Sequence, residues 1–153
     1  MADPQWLDDM EMAAWQSLLR SHAALLARLD RDLRDEHGMS LGEYEVLAHL
    51  SEAPGRRLRL SELAGRVLIS PSALTRRIDR LARRGWVERQ PCPEDARGLF
   101  AVLTTEGRRQ LEGAAPTHVR GVRCHLIDRL SRGELKALAR ALSHVVAESA
   151  TPP

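Results

Sequence analysis

At 153 residues, with 29% charged and only 3% aromatic side chains, the chain can bury one compact core and is too short for two independent domains plus linkers. Its net charge is only +2, yet eleven arginines against five carboxylates fall between positions 56 and 97, a local charge of +6 that leaves −4 for the remainder. No basic start precedes an apolar run and nowhere do eighteen apolar residues occur together, which excludes a secretory signal and a membrane span and predicts a cytoplasmic protein.

Abundant Leu, Ala and Val, with only Pro71 and Pro116 of eight prolines inside helix-like segments, predict a mainly helical chain. Over residues 8–36 one face is marked by Met12, Trp15, Leu19, His22, Leu26, Leu29 and Leu33, in alternating steps of three and four. Leu18 and Leu25 widen this stripe. A helix of that length spans about 40 Å, more than so small a domain covers with itself, so part of the stripe is expected to meet a partner chain. Gly38 supplies the stop. Residues 41–53 form a second helix closed by Pro54 and Gly55, and residues 61–67 a short third one, with Ser61 as its expected N-cap.

Ser70 followed by Pro71 is a strong start signal, and the fourth helix runs to about Arg84 before Gly85 stops it. Residues 86–89 and 99–103 are β-prone runs around the polar stretch 90–98, which predicts a hairpin with a long, irregular tip. Thr104 or Thr105 caps a fifth helix carrying Leu111, Val119, Val122, Leu126 and Ile127, bent at Pro116. Ser131 and Glu134 form a capping box opening a last helix with Leu135, Leu138, Leu142 and Val145 on one face.

Two short helices joined by a tight turn, the second followed by a basic hairpin, make a winged helix-turn-helix. On a 100-degree wheel Leu74, Ile78 and Leu81 share one face of the fourth helix, while Ser72, Arg76, Asp79 and Arg83 point the other way, with Thr75 and Arg80 on the flanks. Hydroxyls and arginines suit duplex DNA: an arginine bonds guanine O6 and N7 bidentately, and Ser or Thr reaches bases or phosphates. Ser72, Thr75 and Arg76, near the helix start, are expected at or near bases, with Ser61, Ser70 and Arg80 at phosphates. Arg97, held at the hairpin tip and oriented by Asp95, is placed to enter a narrow minor groove.

The run SPSALTRRIDRLARRGWVERQPCPEDARGLFAVLTTEG resembles the signature of the MarR family (multiple antibiotic resistance regulators): T-R-x-x-D-R-L in the recognition helix, then G-x-V-x-R, the wing D-x-R, and L-T-x-x-G opening the next helix. The similarity extends upstream through LGEYEVLAHLSEAPGRRLRLSELA. The wing reads D-A-R where many relatives have D-R-R or D-G-R. The resemblance implies a single domain over residues 1–153, with dimerisation helices at about 8–37 and 104–148 around a winged helix-turn-helix at about 41–103. It implies a homodimer on a pseudo-palindromic operator, usually a repressor released by a small aromatic or phenolic effector. Trp15, His22 and His118 are the candidate effector contacts.

Other readings are weaker. GMSLG at residues 38–42 matches G-x-S-x-G, but a nucleophile elbow needs a strand before it and a helix after it, and here a helix precedes. Neither a Walker loop, a dinucleotide fingerprint nor HExxH occurs, so neither an enzyme nor a cofactor is expected. A winged helix used only to bind protein has no need of arginines on both recognition helix and tip. Cys92 and Cys124, 32 residues apart without a CxxC, form neither a disulfide framework nor a zinc site. A redox-responsive regulator would require Cys92 to be an exposed thiol in the wing; an incidental thiol is the preferred reading.

Overall fold

The computed structural model describes residues 4–149, without the side chains of Ala96, Arg97 and residues 147–149. In chain order it contains α1 (Asp9–His37), α2 (Leu41–Glu52), a 3-10 turn (Pro54–Arg56), β1 (Arg57–Arg59), α3 (Leu60–Arg66), α4 (Pro71–Arg83), β2 (Val87–Cys92), β3 (Asp95–Leu103), α5 (Thr105–His125), a second 3-10 turn (Ile127–Arg129) and α6 (Arg132–Ser149). Among the described residues no helix is long and apolar enough to cross a membrane.

Several helices start where a side chain satisfies an unpaired N–H group. Ser40 accepts from the Glu43 amide at 3.1 Å while the Glu43 carboxylate accepts from the Ser40 amide at 2.9 Å, a capping box for α2. Ser131 and Glu134 repeat the arrangement at α6. Thr104 Oγ1 accepts from the Gly107 amide at 2.9 Å and donates to the Gly85 carbonyl at 2.7 Å, joining the start of α5 to the turn after α4. Gly38 and Gly85 end α1 and α4 at φ +60° and +71°, a region glycine enters without steric cost.

Three expectations are corrected. Ser61 does not cap α3: the helix begins one residue earlier, and its N-cap, Arg59, makes no side-chain capping bond. The wing has no long irregular tip, because β2 and β3 pair out to Cys92 and Asp95 with a register shift at Pro91 and Cys92, leaving only Pro93 and Glu94 between the strands. Leu126 and Ile127 lie beyond α5, Ile127 in the second 3-10 turn.

The sheet has a third strand that sequence pattern did not reveal, giving the antiparallel order β1-β3-β2. Arg57, Leu58 and Arg59 oppose Val102, Ala101 and Phe100. Leu58 and Ala101 face the core, whereas Arg59 and Phe100, one step along, share the outer face.

Packing divides the chain into two units, Leu29–His118 and the remaining segments 4–28 with 119–149. Buried apolar side chains run from Leu29 to Ala114, all within the first unit. The large exposed apolar side chains are distributed in the opposite way: Leu68 and Leu99 belong to the first unit, and the others, from Trp6 and Met10 through Trp15, Leu19 and Leu26 to Leu142 and Val146, belong to the second. The stripe expected from the sequence is therefore buried at Leu29 and Leu33 and exposed from Met12 to Leu26.

Candidate nucleic-acid interface

The interface is built on α4. Ser70 Oγ accepts from the Ala73 amide at 3.2 Å and Pro71 follows at the first helical position. Leu74, Ile78 and Leu81 are essentially fully buried, anchoring one face in the core. Burial of three such side chains contributes about 5–9 kcal/mol and fixes the rotation of the helix, so the opposite face has to point outward. Ser72, Thr75, Arg76 and Arg83 are exposed on that side. Ser72 Oγ lies 3.2 Å from Ser70 Oγ, and Thr75 Oγ1 donates to the Pro71 carbonyl at 2.9 Å. The Arg76 side chain has no hydrogen bond or ion pair among the described residues, leaving its donors available to a ligand.

Arg80 and the C-cap residue Arg84 are held by Glu43, whereas Arg83, near the end of α4, is exposed. Arg80 Nε lies 3.5 Å from Glu43 Oε1 and its Nη1 donates to the Arg76 carbonyl at 3.4 Å, so a phosphate contact by Arg80 requires it to leave Glu43. Arg84 donates to the Gly38 carbonyl at 2.9 Å, lies 3.8 Å from Glu43 Oε2, and stacks 3.8 Å over the Trp86 ring. The Arg77 guanidinium lies against Gly42, where a β-carbon would collide with it. Glu43, 6% exposed, is thus compensated by its capping bond and by two guanidinium groups, which a buried carboxylate needs.

Sequence reasoning missed this clamp between α2 and α4, and it missed Arg89. On β2, Arg89 pairs with Asp79 at 2.6 Å and donates to the Thr75 carbonyl at 3.4 Å, bracing α4 against the wing. The signal was faint: arginine and aspartate ten residues apart on different elements have no recognisable spacing.

On the wing, Asp95 faces Arg59, Oδ2 to Nη1 at 3.6 Å. The side chain of Arg97 lies outside the described residues. Ser61 is exposed, beside Arg59, Asp95, Gly98 and Leu99 in a recess at the wing base. Cys92 is only 5% exposed, so the exposed thiol that a redox reading needs is not there; Cys124 is the exposed cysteine. Ser40 of the G-x-S-x-G match is consumed as a helix cap after a helix, not presented on an elbow.

Of the candidate effector residues, Trp15 and His22 are exposed in one unit, and His118 is half-buried in the other. His118 stacks on Tyr44, centroids 4.4 Å apart, and its buried Nδ1 has no hydrogen-bond partner. Burial pushes the His118 pKa below 6.5, against an opposing pull from Glu45, and raises that of Tyr44.

A buried-faced recognition helix presenting hydroxyls and arginines, braced by a three-stranded wing, defines a winged helix-turn-helix transcription regulator. The profile of the MarR family matches residues 39–99. Sco3205, a MarR family transcriptional regulator from Streptomyces coelicolor solved in complex with DNA, is 41% identical with a TM-score of 0.90, over 97% of this chain and 93% of that one. AbsC, a MarR family regulator from the same organism, is 39% identical with a TM-score of 0.88, over 95% and 97%. The chain belongs to the MarR family of transcription regulators. The repressor YetL of Bacillus subtilis is 40% identical over 81 residues, 53% of this chain, which matches about half (48%) of that relative's length.

Proposed function

We propose that the protein is a homodimeric repressor that binds a pseudo-palindromic operator, each α4 entering a major groove and each wing an adjacent minor groove. The observation that carries this reading is the outward face of α4, where Ser72, Thr75 and the unpartnered Arg76 stand together while Arg80 and Arg84 are held back on Glu43. On this reading Ser70 and Ser61 meet phosphates, and Arg97, oriented by Asp95, enters the minor groove. A symmetric dimer of this type sets half-site centres about 34 Å apart. The exposed apolar residues of the second unit support the dimer, since a monomer rarely leaves so many in one region. On this reading the dimerisation helices are residues 8–37 and 104–148 of a single domain.

A small aromatic or phenolic effector fits the Tyr44 and His118 stack, whose unsatisfied Nδ1 offers a hydrogen bond to a hydroxyl or carboxylate. Such a ligand represses or releases only through different affinities for the DNA-competent and DNA-incompetent spacings of the dimer.

Fluorescence anisotropy with a duplex selected from a random pool by the wild-type protein tests the reading. Arg76→Ala is expected to weaken binding by about 1–3 kcal/mol, roughly 5- to 150-fold, and Arg97→Ala to weaken it too, both with intact dimers. Wild-type affinity should fall steeply with salt as phosphate contacts release counterions. Unchanged affinity in both variants removes the contact assignment; absence of any salt-dependent duplex binding favours a protein-binding winged helix instead.

A further inference from the structure

Arg80 stands on the flank of α4, one turn beyond Arg76, where its expected partner is a DNA phosphate. In the structure it leans on a carboxylate of its own chain instead, with Nε 3.5 Å from Glu43 Oε1.

Glu43 does not hold its two arginines alike. Arg84 is fixed from three sides, by the Gly38 carbonyl at 2.9 Å, by Glu43 Oε2 and by the Trp86 ring. Arg80 has only the 3.5 Å charge contact, longer than a charge-assisted hydrogen bond, and a 3.4 Å bond from Nη1 to the Arg76 carbonyl. Its side chain is 47% exposed, so the contact is worth little and is easily exchanged.

Glu43 in turn can lose Arg80 without being orphaned. Its Oε2 keeps the Ser40 amide at 2.9 Å and Arg84 at 3.8 Å, and the Arg34 guanidinium, hydrogen-bonded to Asp30, also feels its charge. Breaking a buried ion pair is expensive when it leaves a carboxylate unopposed, and here it does not. A phosphate oxygen offers the released guanidinium a shorter, hydrogen-bonded contact.

We propose that Glu43 is a positioning residue of the DNA interface that competes with the operator phosphate for Arg80: the free protein parks Arg80 on Glu43, DNA draws it off, and the lost pair lowers affinity. The proposal rests on the reading of Arg80 as a phosphate contact.

Glu43→Gln is the clean perturbation, because glutamine at the third helical position keeps an acceptor for the Ser40 amide while removing the charge. By anisotropy on the same selected duplex it is expected to tighten binding about two- to fivefold per protomer, or about 4- to 25-fold for a dimer. In the Arg80→Ala background the same substitution should change affinity by less than about twofold, since nothing is then held back. Arg80→Ala alone should weaken binding and reduce the slope of log affinity against log salt by about 2, one phosphate per protomer. In a crystal structure of the wild-type protein on that duplex, Arg80 should lie on a phosphate and off Glu43.

No tightening by Glu43→Gln, equal tightening in both backgrounds, or Arg80 still on Glu43 in the complex would each overturn the proposal; the last is read on the wild-type protein and holds even where Glu43→Gln impairs folding. The salt slope separates the two levels. If Arg80→Ala keeps the wild-type slope, the phosphate reading of Arg80 fails and takes the proposal with it; if the slope falls while Glu43→Gln binds like wild type, only the role of Glu43 fails.

Discussion

Gly107 occupies the third residue of α5, in the stretch that the family writes as L-T-x-x-G, and the structure gives its replacement a defined sign. A β-carbon built there runs into the carbonyl oxygen of Trp86 and falls 2.9 Å from Leu103 Cδ1. Two effects compete in Gly107→Ala. Alanine favours helix over glycine by up to about 1 kcal/mol. Against this, overpacking costs typically about 1–3 kcal/mol, and here the upper end applies because the obstacle is backbone, which no rotamer change can move aside. Relief requires α5 to shift away from the turn, stretching the 3.2 Å bond from the Thr104 amide to the Trp86 carbonyl and the 2.7 Å bond from Thr104 Oγ1 to Gly85. The net expectation is a loss of about 2 kcal/mol, or about 4–8 °C in Tm for a chain of this size. Gly113 is the internal control: it lies on the same helix with nothing within 4 Å of its would-be β-carbon, so Gly113→Ala should raise Tm by up to about 4 °C. Thermal melts followed by circular dichroism at one protein concentration decide the matter. A Gly107→Ala protein melting at or above wild type would refute the close-approach reasoning.

Leu68 lies in the turn between α3 and α4 at φ +52°, with its side chain 90% exposed; Leu68→Gly removes a left-handed strain of about 1–2 kcal/mol while adding backbone freedom worth about 0.5–1 kcal/mol, so denaturant titration should show a stabilisation of somewhat under about 1 kcal/mol. Ser70→Ala should cost about 1 kcal/mol by removing the cap of α4, whereas Ser61→Ala, which removes no cap, should stay within about 0.5 kcal/mol of wild type in the same titration. His118 is a base whose folded pKa is lowered by burial, so the unfolded chain binds more protons, and stability should fall as pH drops below about 6.5. His118→Phe should flatten that part of the Tm profile. Glu106, hydrogen-bonded by Arg109 and Gln110, is held at about 2 against an ordinary 4.5, so its contribution is present above 4.5 and disappears as pH falls towards 2; Glu106→Gln should be less sensitive to acid across that window.

Much of the fold was legible because its signals are local. The Ser70 and Pro71 start, the spacing of Leu74, Ile78 and Leu81, and the glycine stops at positions 38 and 85 all act within one or two turns of chain, and each appears where the pattern placed it. β1 was not legible: three residues are too few to establish a period of two, and Arg57 to Arg59 become a strand only because β3 lies alongside. The wing tip was misjudged for the same reason, since Pro91 and Cys92 resemble loop residues until strand pairing carries them along.

The interface divides in the same way. Which face of α4 looks outward was determined by the sequence, because burial of three apolar side chains at helical spacing leaves no other rotation. Which arginines on that segment remain available was decided by tertiary structure alone. Arg76 has no partner among the described residues, Arg80 and Arg84 lean on Glu43 from α2, Arg89 braces Asp79 across the wing, and Arg59 faces the tip from another strand. Chemically identical side chains acquire different roles through charges that come near only when distant parts of the chain fold together. A wheel drawn for one helix contains no such partners.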